Sequence, residues 1–319
     1  MNFRTEIPLE ANSAPQIDYH SKVLVLGSCF SEHMGNKLAY FKFQQLQNPF
    51  GILFHPLAIE QLISNASAEK RYTNDAIFQH NEQWHCFDAH SKLSEASAEK
   101  LLKNLNHHIG QTHQYLKAAT HVLITLGTAW LYKSKATQQA VANCHKLPQK
   151  HFEKHLLSVE DISASLKRII TMVKSNNKDA IVIFTVSPVR HLKDGFIENT
   201  QSKAHLITAI HEVLKTTYTP LRSYYFPSYE LMLDELRDYR FYAADMIHPN
   251  ETAIQYIWER FQDQWISKEA RTTMEAVETI QRGLAHRPFN PQSEAHQHFL
   301  QTLRAKQKGL TKQLPHLQF

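Results

Sequence analysis

The sequence predicts an α/β fold, a mostly parallel, five-stranded sheet with helices packed on both faces. Three observations carry this reading. Short runs of Val, Ile and Leu lack in–out alternation, which is the pattern of strands buried on both sides. Longer segments with helical periodicity separate those runs, as the crossovers of a parallel sheet require. A chain of 319 residues, 42% hydrophobic and 20% charged, is long and apolar enough for a sizeable core.

The strands are expected at Lys22 to Leu26, Phe41 to Gln44, His121 to Leu126, Ala180 to Val186 and Ser223 to Phe226. Leu101, Leu102, Leu105, Ile109 and Leu116 stripe one intervening helix. Leu166, Ile169, Ile170 and Val173 stripe a second, and Leu206, Ile210, Val213 and Leu214 a third. From Ala76 to Ser91 the rhythm breaks. Phe78, Trp84, Cys86 and Phe87 around Asn81-Glu82 read as a small β-hairpin inserted at the edge. No repeat or low-complexity linker divides the chain. The expected organisation is one domain over residues 1–267, followed by a basic helical extension over 268–319.

Composition narrows the class. The N-terminal segment has no apolar run between a basic start and a cleavage site, and no stretch approaches roughly 18 apolar residues. Neither a secretory leader nor a membrane span is expected. Three scattered cysteines form no disulfide framework, so a cytoplasmic location is the simplest expectation. The net charge of +5 owes most to the extension, which carries eight Lys/Arg against four Asp/Glu. No stacking-aromatic pattern accompanies that charge, so nucleic acid is not an expected partner. A solvated helix face, or a contact with a second copy of the chain, accounts for it. The 21 histidines form no metal-ligand spacing.

Two segments carry chemistry. In the first, the apolar strand ends in Gly27-Ser28-Cys29-Phe30-Ser31 and a helix follows. Ligands of open α/β sheets bind at the carboxyl ends of strands, and a helix N-terminus favours developing negative charge. Ser28 therefore reads as a nucleophile, or equally as the N-cap of that helix. In the second, Asp245 and His248 stand three apart, just before Pro249 and the helix-capping Asn250. An Asp so placed turns back to accept an imidazole proton, freeing the other nitrogen to act as base. A plain polar turn is the competing reading. Cys29 beside Ser28 is read as a small buried residue, because neighbours in a turn point different ways.

Together the segments resemble the SGNH/GDSL hydrolases, and the string from Gly27 to Ser31 resembles the signature of the bacterial GSCFA family. Further strings similar to that family are Asn48-Pro49-Phe50-Gly51, Leu126 to Trp130, Asn143 to Lys146, Ser187 to His191 and Asp245 to Pro249. They span roughly residues 20 to 265. The resemblance implies a three-layer, flavodoxin-like α/β/α sandwich and a serine esterase. Ser28 would be the nucleophile, His248 the general base and then acid, and Asp245 its orienting partner. The oxyanion would meet the Ser28 backbone N–H, with Gly51 and Asn48 as further donors. Gly127, Thr128, Asn143, His145, Arg190 and His191 are the expected substrate contacts. The superfamily usually carries a Gly-x-Asn after the third strand, and Ala129 stands at that position here.

The expected reaction is hydrolysis of an O-acetyl or other short-acyl ester of a carbohydrate or small metabolite, with no cofactor and no metal. Transfer of the acyl group to a sugar hydroxyl is an alternative outcome of the same intermediate. A catalytically weak binding or scaffolding protein is the alternative from a different class.

Overall fold

A computed structural model describes residues 5–9 and 14–319, with the side chains of 218–220 left aside. Parts of the N-terminal segment read above for a leader, residues 1–4 and 10–13, lie outside the described residues. The first half runs β1 (Lys22–Gly27), α1 (Cys29–Tyr40), β2 (Gln44–Gln47), α2 (Pro56–Ser67), β3 (Phe78–His80), β4 (Gln83–His85), α3 (Ala98–Ala118) and β5 (His121–Leu126). The chain continues through β6 (Trp130–Ser134), β7 (Ala140–Val141), β8 (Phe152–Leu156), α4 (Val159–Asn176), β9 (Ile181–Val186), α5 (Phe196–Leu221) and β10 (Ser223–Tyr225). A short α6 (Ser228–Glu230) leads into a π-helical turn (Leu231–Leu236), and α7 (Glu251–Trp265), α8 (Lys268–Ala285) and α9 (Glu294–Gln313) follow.

The central sheet is parallel throughout, in the order β10-β9-β5-β1-β2. Its inner strands β1, β5 and β9 are buried on both faces, and alternate residues feed two cores. Leu24, Leu26, Ile124 and Phe184 pack under α2, α3, α4 and α5. Val23, Val25, Leu123 and Ile183 pack under α1, α7 and α8. The result is the expected three-layer α/β/α sandwich. From β1 the chain winds to β2 on one side, then crosses back to β5 on the other. The ends of β1 and β5 therefore flank the crevice where the winding direction reverses, and such a crevice receives ligands in open α/β sheets.

Two local differences from the sequence reading have physical causes. β2 begins at Gln44, later than expected, because Phe41 and Phe43 are buried in the α1-side core as loop residues. β2 itself, Gln-Gln-Leu-Gln, is a half-buried edge strand. Beyond β5, the chain forms a three-stranded antiparallel sheet, β7-β6-β8, that the sequence reading did not anticipate. The hairpin at β3–β4 is present, and its Asn81 and Glu82 take positive φ (47° and 61°), as a two-residue hairpin turn requires.

The basic extension is helical, and its two helices differ. α8 buries Ala270, Met274, Val277 and Ile280, the first three in the core shared with α7. Only Leu303 of α9 is buried. The N-terminal segment meets the same junction, where Ile17 N–H donates to Trp265 O (2.7 Å) and Ser267 N–H donates to Ile17 O (3.0 Å).

Candidate active site

β1 delivers Ser28 to the crevice. Gly27 holds a φ of +131°, and a Cβ there would run into the Thr125 carbonyl, so only glycine fits. Ser28 occupies the N-cap position of α1 with extended backbone (φ −70°, ψ 178°), yet its hydroxyl makes no capping bond. Its Oγ is buried without a hydrogen-bond partner among the described residues. An unpartnered buried hydroxyl costs about 1–3 kcal/mol and calls for an explanation. Helix capping is therefore not its role.

The Asp245–His248 pair is formed. His248 Nδ1 lies 2.7 Å from Asp245 Oδ2, while Asp245 Oδ1 accepts the backbone N–H groups of Ile247 (2.9 Å) and His248 (3.0 Å). Those bonds, led by the His248 N–H, hold the exposed Asp245 carboxyl down to about 2. A tight loop fixes the pair: Ala243 N–H donates to His248 O (2.8 Å) and Asn250 N–H to Phe241 O (2.9 Å). Asn250 then caps α7 through Ala253 N–H at 3.0 Å. His248 is half exposed and makes no hydrogen bond to Ser28 Oγ. Its charge nevertheless reaches His33 on α1 and His191, lowering both behind the larger effect of their burial.

The remaining walls come from the ends of β5 and β9. Gly127 N–H and Thr128 N–H both donate to Phe54 O (2.8 and 3.0 Å). A methyl group added at Gly127 would sit 3.1 Å from Ser28 Cβ and 3.3 Å from His191 Nε2. Serine and histidine therefore flank the same point. The His191 ring stands edge-on to Phe54 (5.4 Å, 87°), its backbone N–H donates to Asn199 Oδ1 (2.9 Å), and its Nε2 is buried without a partner among the described residues. Arg190, one residue back, lies over Tyr242 (4.5 Å), with its N–H 3.4 Å from Ile247 O in the His248 loop.

Beneath these turns lies a residue the sequence reading missed. Lys203 on α5 is 1% exposed and donates to Gly127 O (2.6 Å) and Ser187 O (2.7 Å). Desolvation pushes its ammonium down to about 7. Its neighbour Ser202 accepts Ala129 N–H (2.7 Å) and pairs with Thr128 Oγ1 (3.0 Å). Asn199, Ser202 and Lys203 continue the Leu206–Ile210 stripe backwards at helical spacing, the one signal in the sequence that sets them on the buried face.

Several expected donors and contacts have other duties. The Ser28 N–H is bound to Thr125 O (3.0 Å), and the Gly51 N–H closes a turn onto Asn48 O (2.7 Å). Asn48 braces the nucleophile turn: its Oδ1 accepts Gly27 N–H (2.9 Å) and its Nδ2 donates to Ser31 Oγ (2.9 Å). None of the three expected oxyanion donors points freely into the crevice. Thr128 is engaged with Ser202, and Asn143 Oδ1 accepts His145 N–H (2.8 Å). His145 itself is turned into the hairpin, with Nε2 on Cys86 O (2.8 Å) and its ring beside His85 and Phe78. Gly127, Arg190 and His191 are the expected contacts that line the site or its rim.

Burial raises the Cys29 thiol, outweighing the lowering by Lys203 and by the first amides of α1. The cysteine is therefore a thiol rather than a nucleophilic thiolate. Among the described residues, no group of three His, Cys, Asp or Glu is arranged to hold a metal, and no helix is long and apolar enough to cross a membrane.

Comparison with known proteins agrees with the strings noted in the sequence. The model described as the GSCFA family matches residues 22–261, which hold every residue named at this site. A second model, described as GSCFA domain protein, C-terminal domain, matches residues 277–319. No curated protein matches the chain.

Proposed function

The chain belongs to the GSCFA family, and from that premise we propose that it is a serine hydrolase cleaving a short-acyl ester of a carbohydrate or small metabolite. One observation carries the reading: a buried, uncapped and unpartnered Ser28 hydroxyl at the N-terminus of α1, at the point where the sheet's winding reverses. The Asp245–His248 pair on the neighbouring loop supplies the base.

Asp245 accepts the Nδ1 proton of His248, which leaves Nε2 free as acceptor. With substrate bound, His248 Nε2 takes the Ser28 proton as Oγ attacks the ester carbonyl. Serine–histidine hydrogen bonds are often long in empty sites and shorten in the complex. The tetrahedral intermediate expels the alcohol, which receives the proton from His248. Water, activated by the same imidazole, then releases the acid from Ser28. No cofactor enters this sequence.

The deciding experiment is hydrolysis of a short-chain aryl acetate by the wild type, Ser28→Ala, Asp245→Asn and His248→Ala, together with fluorophosphonate labelling of Ser28. Activity that falls by roughly a hundredfold or more in all three variants supports a working triad. Equal trace activity in all four proteins, with no label on the wild type, removes the esterase reading and puts a binding protein first. Acyl transfer to an added sugar in preference to water reassigns the same intermediate to a transferase.

A further inference from the structure

An ester hydrolase must place hydrogen-bond donors where the carbonyl oxygen becomes an oxyanion. Here the backbone N–H groups of Ser28, Gly51 and Ala129 already have acceptors, and the Asn48 amide braces the Gly27 turn. Position 129, where the superfamily's asparagine would stand, holds alanine. Two polar side-chain atoms beside Ser28, Thr125 Oγ1 and His191 Nε2, are buried without a partner among the described residues, and of these His191 Nε2 faces Ser28 across Gly127.

His191 flanks the nucleophile across Gly127 and feels the charge of His248, and the surroundings of the two imidazoles divide the labour. A general base must become an imidazolium, which requires a negative partner. His248 has Asp245 at 2.7 Å. His191 has no such carboxylate bond; its backbone is tied to Asn199, its ring packs on Phe54, and the charges it feels are those of Lys203 and His248. Burial, and behind it these two positive charges, holds its pKa down to about 3. His191 is a neutral imidazole throughout the neutral range, suited to donate a hydrogen bond and unsuited to accept a proton.

We infer that His191 is the oxyanion donor of this site, its Nε2–H taking the role that the SGNH/GDSL resemblance gives to an asparagine. The inference rests on the hydrolase reading above. As the Ser28 Oγ–carbon bond forms, the carbonyl π pair moves onto oxygen and the serine proton passes to His248. His191 keeps its own proton and gives only a hydrogen bond. When the leaving C–O bond breaks, the oxygen pair returns and His248 protonates the alkoxide. Lys203, through Gly127 O and Ser187 O, positions the two strand ends that hold Ser28 and His191 apart.

The test uses the full chain with His191→Ala and His191→Gln, the second retaining an amide donor. Expected for His191→Ala is a loss of roughly a hundredfold in kcat/KM on the aryl acetate, with KM nearly unchanged and a parallel fall in the rate of fluorophosphonate labelling. Expected for His191→Gln is recovery to within about tenfold of wild type. In the wild-type adduct, the His191 Nε2 proton resonance shifts downfield. A His191→Ala variant that hydrolyses and labels like a labelled, active wild type overturns the donor role and leaves the Ser28 reading intact. Equal losses in both variants with a lowered melting temperature and no resonance shift overturn it in favour of a packing role. Loss of the acid limb of the pH profile in His191→Gln overturns it in favour of a base. A wild type that neither hydrolyses nor labels overturns it together with the parent reading.

Discussion

Lys203 Nζ lies 2.6 Å from Gly127 O, so a cation enclosed by the α2–α5 face of the sheet is fastened to the turn that faces Ser28. With Ser187 O as its second acceptor, the ammonium clamps the ends of β5 and β9, neighbouring strands that would otherwise present two unsatisfied carbonyls.

Lys203→Met removes both donors while filling much of the volume. The expected loss is about 1–3 kcal/mol of unfolding free energy, read from denaturant midpoints. His191 loses a positive neighbour, so its pKa rises in an NMR titration. A variant as stable as wild type, with an unmoved His191 resonance, contradicts the clamp.

Gly127→Ala tests how closely the walls approach. The added methyl meets Ser28 Cβ and Phe54 O at 3.1 Å and His191 Nε2 at 3.3 Å, with no backbone strain. Stability is expected to fall by about 1–3 kcal/mol and ester hydrolysis by more than tenfold, about 1.4 kcal/mol in the barrier. Gly27→Ala, with its positive φ and the Thr125 carbonyl in the way, is expected to yield no folded protein. Circular dichroism and expression level separate the two.

Acid stability follows from buried histidines. Burial lowers His55, His121 and His145 to about 4 and His191 to about 3, against about 6.5 in an unfolded chain. The unfolded chain therefore binds protons that the native protein refuses. Stability is intact above pH 6.5 and is lost as pH falls from about 6.5 toward 4, by about 1.4 kcal/mol per pH unit for each histidine. Urea midpoints at pH 7 and pH 5 check this. Equal midpoints would mean these imidazoles are not buried.

The pH–rate profile separates base from bystanders. Asp245 is held ionised to about 2 and His191 neutral to about 3. Above pH 4 neither changes charge, so neither contributes to the acid limb of log kcat/KM for the proposed hydrolysis. Lys203, pushed down to about 7 by burial, does change charge in that range, and Lys203→Met removes its contribution from the profile. An acid limb that moves in His191→Gln contradicts this division.

Much of this architecture was legible in the sequence. Strands buried on both faces announce themselves as unbroken apolar runs, and β1, β5 and β9 fell close to where those runs stand. β2 escaped because it is an edge strand of polar residues whose neighbouring phenylalanines serve another core. The β7-β6-β8 sheet escaped because its strands are short and mixed, with burial concentrated at Leu131, Ser134, Val141 and Phe152. At the site, the residue types and the Asp245–His248 pairing were readable from spacing. Which backbone N–H groups remain free was not, since it depends on partners such as Thr125 O and Asn48 O contributed by distant turns. Lys203 illustrates both sides: its place on the buried face of α5 follows from helical periodicity, but a lysine there reads as solvated until its two carbonyl partners are seen.

The crevice is assembled from turns after β1, β5 and β9 and from the loop before α7, segments spread between Gly27 and Asn250. Ser28 and Gly127 become neighbours only when β1 and β5 pair, and His248 arrives only when α7 has docked beneath them. Contacts so distant in sequence form slowly, so the proposed hydrolase activity is expected among the last properties a refolding chain acquires. Recovery of ester cleavage after dilution from urea is expected to lag the return of helical signal. Activity thus reports completion of the sandwich, where spectroscopy reports only its beginnings.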